Sequence, residues 1–359
     1  MKSQVKGVKA RRFQAIFKIF LTLAFITTTL FGCGSTTTIN ENTQTSENQE
    51  PSNDKIKIGL SFDSYVIERW QRDRDVFLST ATEMNAEVIV QSADGNAEEQ
   101  IEQIKYFIEK DVDAIVIVAV NCNTLTDVIK EAKNAGIYVV AYDRLIQDAD
   151  IDLYISFDNE KVGELMAENI IDNTPANARI VCMLGSDSDA NVSMVKNGFE
   201  KVIKNSKAKV CFTEYCNNWE ADLAYESMQK ILNSKLDFNA VMCGNDDLAA
   251  MVYKALSERG QAKDICIVGQ DADLSACQRI VNGWQSMTVY KPVESLAKEA
   301  AMNTLMLCND EKLEISTTIN NGKKDVPSIL LTPVSVTKDN LDKIIIDGGF
   351  HTKDEIYPK

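Results

Sequence analysis

One histidine in 359 residues, His351, the ninth residue from the C-terminal end, leaves no material for His-dependent triads, HExxH zinc sites or imidazole acid–base pairs. The glycine signatures of nucleotide and acyl chemistry are also missing. No GxGxxG follows an apolar run, and neither GxxxxGK[ST] nor GxSxG occurs, so dinucleotide, phosphate-loop and nucleophile-elbow chemistry lack their backbone requirements. Positive charge is scarce: 38 Lys and Arg stand against 53 Asp and Glu, a net −15 with no basic stripe, which excludes a nucleic-acid partner. No CxxC occurs, and the close pair Cys211 and Cys216 has no histidine to complete a mixed zinc site. No metal and no cofactor is therefore implied. Nine cysteines are too thinly spread for a disulfide framework. Cys182, Cys211, Cys243, Cys266 and Cys308 lie in apolar segments and read as buried free thiols.

What is present begins with a length and an apolar content of 45%, enough for two globular domains with cores of their own. The first 32 residues carry six bases and no acid, leaving 32 bases against 53 acids, a net −21, for the remainder. Basic residues precede the apolar run Ile19–Phe31, which is short for a bilayer span of about 20 residues and reads as an export signal. The run ends in Leu30-Phe31-Gly32-Cys33, which resembles the lipobox of bacterial lipoproteins, with Phe31 a departure from the usual pattern. Lipidation at Cys33 or an uncleaved N-terminal anchor would each place the body outside the cytoplasm. Residues 33–54 hold almost no large apolar side chain and read as a flexible tether. Two acyl chains would hold the body to the outer face of the membrane through it.

From Lys55, β-branched runs alternate with amphipathic stretches: KIKIGLSF, AEVIVQS, AIVIVAV, IYVVAYD, LYISFD, ARIVCML, KVCFTEY, AVMCGND and ICIVGQD. This order predicts parallel sheets covered on both faces by helices. In 98–110, Ile101, Ile104, Phe107 and Ile108 share one helical face. The count, about four strand–helix units on each side of 153–158, gives two doubly wound α/β lobes. Open sheets of this kind bind ligands at the carboxyl ends of their strands, where Gln91, Asn121, Asp143-Arg144, Asn245-Asp246 and Asp271 fall. Asp246 and Asp273 could equally cap the helices they precede. The adjacent Asp143 and Arg144 suggest a neutral ion pair offering fixed donors and acceptors. Such groups suit a neutral polyol, with Trp219 at a strand-to-helix junction as a stacking face and Trp284 as surface or hinge packing.

IERWQRDRDVF, VQSADGN, AYDRLIQDADIDLYISFDNEKVGEL, GQDADL, MTVYKP and NNGKKDVPSILLTPVSV resemble the D-xylose-binding branch of the type I periplasmic sugar receptors of ABC importers. The similarity runs from about Lys55 to His351. It implies two Rossmann-like lobes joined by three crossovers near Phe157, Tyr290 and Ser328, giving 55–157 plus 291–328 in one lobe and 158–290 plus 329–359 in the other. It also implies a sugar site made of Arg69, Asp143, Arg144, Asp189, Asn191, Trp219, Asn245, Asp271 and Lys291. The expected activity is binding of D-xylose between the lobes and delivery to a membrane ABC permease. A sensor histidine kinase as the reader of the closed form, or another monosaccharide such as glucose, are the alternatives. A glycoside hydrolase built on Asp143 and Asp271 is disfavoured, because a carboxylate locked to Arg144 makes a poor general acid.

Overall fold

The computed structural model describes residues 55–358. The expected export signal (1–32), the lipidation site Cys33 and the tether (33–54) lie outside the described residues.

All nine apolar runs form strands: β1 (Lys57–Phe62), β2 (Glu87–Ser92), β3 (Ala114–Ile117), β4 (Tyr138–Tyr142), β5 (Leu153–Phe157), β6 (Arg179–Leu184), β7 (Lys209–Tyr215), β8 (Ala240–Cys243) and β9 (Cys266–Gln270). Four more strands are present among the described residues: β10 (Met287–Tyr290), β11 (Thr317–Asn320), β12 (Asp325–Leu331) and β13 (Val334–Thr337). One sheet has the order β11-β12-β5-β4-β3-β1-β2 and the other β13-β10-β9-β8-β6-β7. Both are parallel except for β11 and β13, each of which runs antiparallel at an edge. Every residue of β3, β5 and β8 is buried, as contiguous apolar strands require when helices cover both faces.

Helices α1 (Arg69–Glu83), α2 (Ala97–Glu109) and α3 (Thr126–Asn134) alternate with β1 to β4. No helix joins β4 to β5, so the first lobe has one strand–helix unit fewer than expected there. α4 (Asn159–Asn173), α5 (Ala190–Ile203), α6 (Ala221–Ser234), α7 (Asp246–Glu258) and α8 (Leu274–Val281) alternate with β5 to β10, and α9 (Val293–Cys308) packs back on α1. The chain passes from the first sheet to the second after β5, returns after β10, and leaves again after β12, which runs on to Leu331.

The buried face of α2 differs from the one its leucine-like residues suggest. Ile104 and Phe107 are buried, but so are Gln100 and Gln103, whereas Ile101 and Ile108 are only half-buried. The two amides reach the sheet: Gln100 Nε2 donates to the Val118 carbonyl (2.9 Å), its Oε1 accepts from Val120 N (2.8 Å), and Gln103 Nε2 donates to the Ser92 carbonyl (2.8 Å). They satisfy backbone groups at the strand ends, which burial would otherwise leave unpaired.

In the second lobe α4 and α5 meet backbone to backbone at two glycines. A Cβ on Gly163 would lie 1.9 Å from the Val195 carbonyl oxygen, and one on Gly198 would lie 1.9 Å from that of Glu160. Neither neighbour is a flexible side chain, so the helices must separate to admit a methyl group. Gly163→Ala and Gly198→Ala should each destabilise the fold by about 1–3 kcal/mol in urea unfolding. Wild-type stability in both would contradict this packing.

Candidate binding cleft

The carboxyl ends of the strands in both sheets point into one cleft. Asp63 and Ser64 follow β1, Asp143 and Arg144 follow β4, Asn159 follows β5, Gly185 and Asp189 follow β6, Asn245 follows β8, Asp271 follows β9 and Lys291 follows β10. Arg69 is the first residue of α1. Water is largely excluded from these groups, so each charge depends on a partner. Arg69 holds Asp73 through Nη2 (2.8 Å) and Nε (3.2 Å) and reaches Asp143 through Nη1 (2.9 Å). The Tyr142 hydroxyl also donates to Asp73, at the oxygen that Arg69 Nη2 holds. Arg144 is shared between Asp63 (2.8 Å) and Asp189 (2.8 Å), and Lys291 Nζ lies 2.6 Å from Asp271.

The Arg144–Asp189 pair and a further contact, Asp143 with Asn191, join the lobes. Arg144 belongs to the first sheet and Asp189 to the second, as do Asp143 and Asn191, whose Nδ2 donates to the Asp143 carboxylate (3.0 Å) and carbonyl (3.1 Å). The Cys122 amide donates to the Ser188 carbonyl (3.0 Å) beside them. The lobes are therefore closed on one another, and a cavity of about 480 Å³ counted out to its mouth lies between them.

Trp70 and Trp219 both line this cavity, with Arg69, Asp143, Arg144, Asn159, Gln270, Asp271 and Lys291 among the polar groups. Trp219 reaches it only because two strand ends carry glycine. A Cβ on Gly185 would lie 2.2 Å from the indole, and one on Gly244 would meet the Gly185 amide at 2.7 Å. Several polar atoms in this region are buried without a partner in the chain: Trp70 Nε1, Trp219 Nε1, Asn245 Nδ2 and Gln270 Oε1. Unpaired buried groups are expensive, so a set of them around one cavity indicates a ligand rich in donors and acceptors. Asp143 (φ 63°), Trp219 (φ 59°) and Asp271 (φ 98°) all adopt left-handed backbone, a strain that surrounding structure must hold in place.

Eight of the nine residues named for a sugar site line the cavity. The ninth, Asn245, caps α7, its Oδ1 accepting from Leu248 N (3.0 Å), and presents the unpaired Nδ2 already noted. Asp143 and Arg144 do not neutralise each other as their adjacency suggests. The left-handed turn at Asp143 sends the two side chains to different partners, Arg69 on one side and Asp63 with Asp189 on the other. Gln91 and Asn121 take no part in lining the cavity, and Asn121 accepts from the Asn123 amide in its own turn (2.9 Å). Trp284 stacks on Tyr253 at the far end of the second lobe. Trp70 and Gln270, which are not among those nine, also line the cavity, and Asp73 and Asp63 hold its two arginines. For Trp70 and Gln270 the signal was adjacency to Arg69 and Asp271. All eight cysteines of the described residues are free thiols, with Cys182 and Cys243 buried and Cys211, Cys266 and Cys308 half-buried.

Burial sets the acid–base behaviour of the cleft. It pushes Asp63, Asp73 and Asp189 above the usual carboxylate value even against their arginine partners. For Asp143, burial acts upward too, but Arg69, Lys291 and Arg144 outweigh it and its carboxyl lies below the usual value. Asp246 and Asp273 are not side-chain caps. Asp273 precedes α8 without a capping bond, and Asp246 accepts from Thr288 Oγ1 (2.6 Å), Gln285 Nε2 (2.7 Å) and the Asp273 amide (3.2 Å). Burial lifts Asp246 to about 7. Its folded value is raised, so its contribution to stability is fully present below the ordinary 3.8 and is lost as pH climbs to about 7. Asp246→Asn, neutral throughout, should remove this dependence. The stability of wild type minus that of Asp246→Asn, from urea unfolding, should fall between about pH 4 and about pH 7. A difference independent of pH would contradict the raised value.

Two α/β lobes closed over a polar, indole-lined cleft, with three passages of chain between them, define a class of ligand-binding receptor. A profile for the periplasmic binding protein domain matches residues 58–312, and the chain belongs to that family. It is 46% identical over 307 residues to the D-xylose-binding periplasmic protein of Haemophilus influenzae, covering 84% of this chain and 92% of the relative. It is 45% identical over 309 residues to the protein of the same description from Escherichia coli K12, covering 84% and 93%. Among solved structures, the glucose-bound ABC-transporter solute-binding protein of Clostridium phytofermentans is similar with a TM-score of 0.77 at 26% identity, covering 84% of this chain and all of that one.

Proposed function

We propose that this protein is an extracytoplasmic receptor that binds D-xylose in the cleft and presents it to an ABC permease in the membrane. One observation carries the reading: a cavity between the lobes lined by two indoles, in a region where buried polar atoms find no partner in the chain. A pyranose answers both features, because its hydroxyls donate and accept while its C–H faces pack on aromatic rings. The names of the two relatives at 45% and 46% identity supply the particular sugar. Roles follow from position. Asp143, Arg144 and Arg69 hold hydroxyls from the first lobe, and Asp189, Asn191, Asn245 and Asp271 hold them from the second. Lys291 stands where the chain crosses, and Trp219 packs on the ring. We assign 55–157 plus 291–331 and 158–290 plus 332–359 to the two sugar-binding lobes, the last crossover falling three residues later than the resemblance implies because β12 pairs with β5 as far as Leu331.

Sugar contacts made from both lobes at once favour the closed form, and that form is what a membrane partner reads. The same reading includes an anchor at Cys33, which mass spectrometry of the mature protein tests directly. Loss of xylose uptake in a deletion strain is expected for a transport receptor. Uptake that survives deletion when the transporter is expressed independently, with induction by xylose lost, would assign the readout to a sensor kinase.

Calorimetric titration against D-xylose, D-glucose and other monosaccharides tests the ligand. Xylose should bind with submillimolar or tighter affinity, and binding of glucose alone would overturn the pentose assignment. Asp143→Ala and Asp271→Ala should each weaken xylose binding by about tenfold or more, equivalent to at least about 1.4 kcal/mol. Affinities within about threefold of wild type in both variants would remove the sugar from this cleft.

A further inference from the structure

The only histidine in the sequence, close to the C-terminus, is buried in the structure. His351 Nε2 lies 2.9 Å from the carbonyl oxygen of Ala272, a residue 79 positions away. A carbonyl only accepts, so Nε2 carries the proton. Burial lowers the imidazole below its ordinary value, in keeping with a neutral ring.

Ala272 is not an ordinary neighbour. It and Asp271 are consecutive non-glycine residues in left-handed backbone, at φ 56° and 98°. Asp271 lines the cavity, and its backbone conformation determines where its carboxylate points. Left-handed backbone at two adjacent side-chain-bearing residues persists only where the surroundings fix it. Here the Asp271 amide donates to the Val289 carbonyl (2.9 Å), and the Ala272 amide donates to Thr288 Oγ1 (3.1 Å). These tie the amide side to β10. On the carbonyl side, His351 is joined only by a weak thiol donor, Cys277 Sγ, at 3.5 Å.

The segment carrying His351 is itself anchored to both lobes. Arg72 of α1 donates to the Phe350 carbonyl (3.0 Å), and its guanidinium lies 4.2 Å from the centre of the Phe350 ring. Phe350 packs edge-on against Tyr290 at 4.9 Å and against the His351 ring at 4.6 Å. Beyond it Thr352 and Glu355 form a reciprocal cap for the helical turn α10 (Lys353–Ile356), and Gln278 Nε2 holds the Glu355 carbonyl (2.8 Å). The C-terminal segment thus runs as a strap from the first lobe's α1 to the second lobe's cleft loop.

We propose that His351 is a positioning residue for the sugar site: through the Ala272 carbonyl it holds Asp271 in the left-handed backbone that aims its carboxylate into the cleft. The proposal rests on the receptor reading above, and specifically on Asp271 as a sugar contact. A neutral donor of the same reach is sufficient for the role, and the glutamine amide has one.

The test is calorimetric titration of the full chain with D-xylose, comparing wild type, His351→Phe, His351→Gln and Asp271→Ala, with melting temperatures of the sugar-free proteins. His351→Phe should weaken binding about fivefold or more, and His351→Gln should restore it to within about twofold of wild type. A merely structural role would move the melting temperatures and leave the affinities alone. Wild-type affinity in His351→Phe, alongside loss in Asp271→Ala, would overturn the proposal and leave the receptor reading standing. Absence of monosaccharide binding by wild type would overturn the receptor reading and the proposal together. Should His351→Phe fail to fold, the single imidazole gives an independent measure by nitrogen NMR. It should show the neutral Nε2–H tautomer and shift on saturation with xylose. The other tautomer, or a signal that saturating xylose leaves unmoved, would overturn the proposal.

Discussion

Charge that has been taken out of water has to be paired, and in this protein that requirement shapes the cleft. Asp73, Arg69 and Asp143 form one chain of alternating charge, Asp63, Arg144 and Asp189 a second, and Asp271 with Lys291 a third. Each arginine is fixed by two carboxylates, so its remaining N–H groups have set directions. Removing one partner from such a set leaves the other charged and desolvated, which typically costs about 3–5 kcal/mol. The second chain also spans the lobes, as does the Asn191–Asp143 contact. Closure is therefore stabilised by the protein's own groups as well as by whatever lies in the cavity. A ligand needs to supply only the difference between open and closed forms.

The α/β alternation was legible because strands covered on both faces have no polar side to interrupt them. β3 (AIVI) and β5 (LYISF) appear in the sequence as continuous β-branched and aromatic runs. The four strands that were not read as such are short or lie towards a sheet edge. β11 (TTIN) is largely exposed and β13 (VSVT) only partly buried, and each has just four residues to carry a signal. Residues of the site that sit directly after a strand, such as Asp143, Asn245 and Asp271, could be found from position alone. Asp73 could not. It lies within a helix among other charged residues, and what marks it is Tyr142, 69 positions away. Asp63 likewise depends on Arg144, 81 positions away. Sequence order carries no record of such long-range pairing, and the contact of His351 with Ala272, 79 positions away, is hidden for the same reason.

Left-handed backbone at non-glycine residues occurs in several turns of the fold, and it recurs where the cleft side chains must point inwards. Asp143, Trp219 and Asp271 hold left-handed backbone without being glycine, while the true glycines at 185 and 244 are used for close approach, letting the Trp219 indole lie against the strand ends. The division has a physical logic. Glycine removes bulk where an aromatic ring needs room, and side-chain-bearing residues accept a strained φ where a carboxylate or an indole must face the ligand. The rigid sheets beneath and the buried ion pairs around them keep these conformations from relaxing. Such pre-organisation lowers the ordering cost of binding.

The most direct measurement of this account is the crystal structure of the protein grown with D-xylose. One pyranose is expected in the cleft, in contact with an indole and within hydrogen-bonding distance of Asp143 or Arg144 from one lobe and of Asn245 or Asp271 from the other. A sugar held by one lobe alone, or bound elsewhere on the protein, would contradict it.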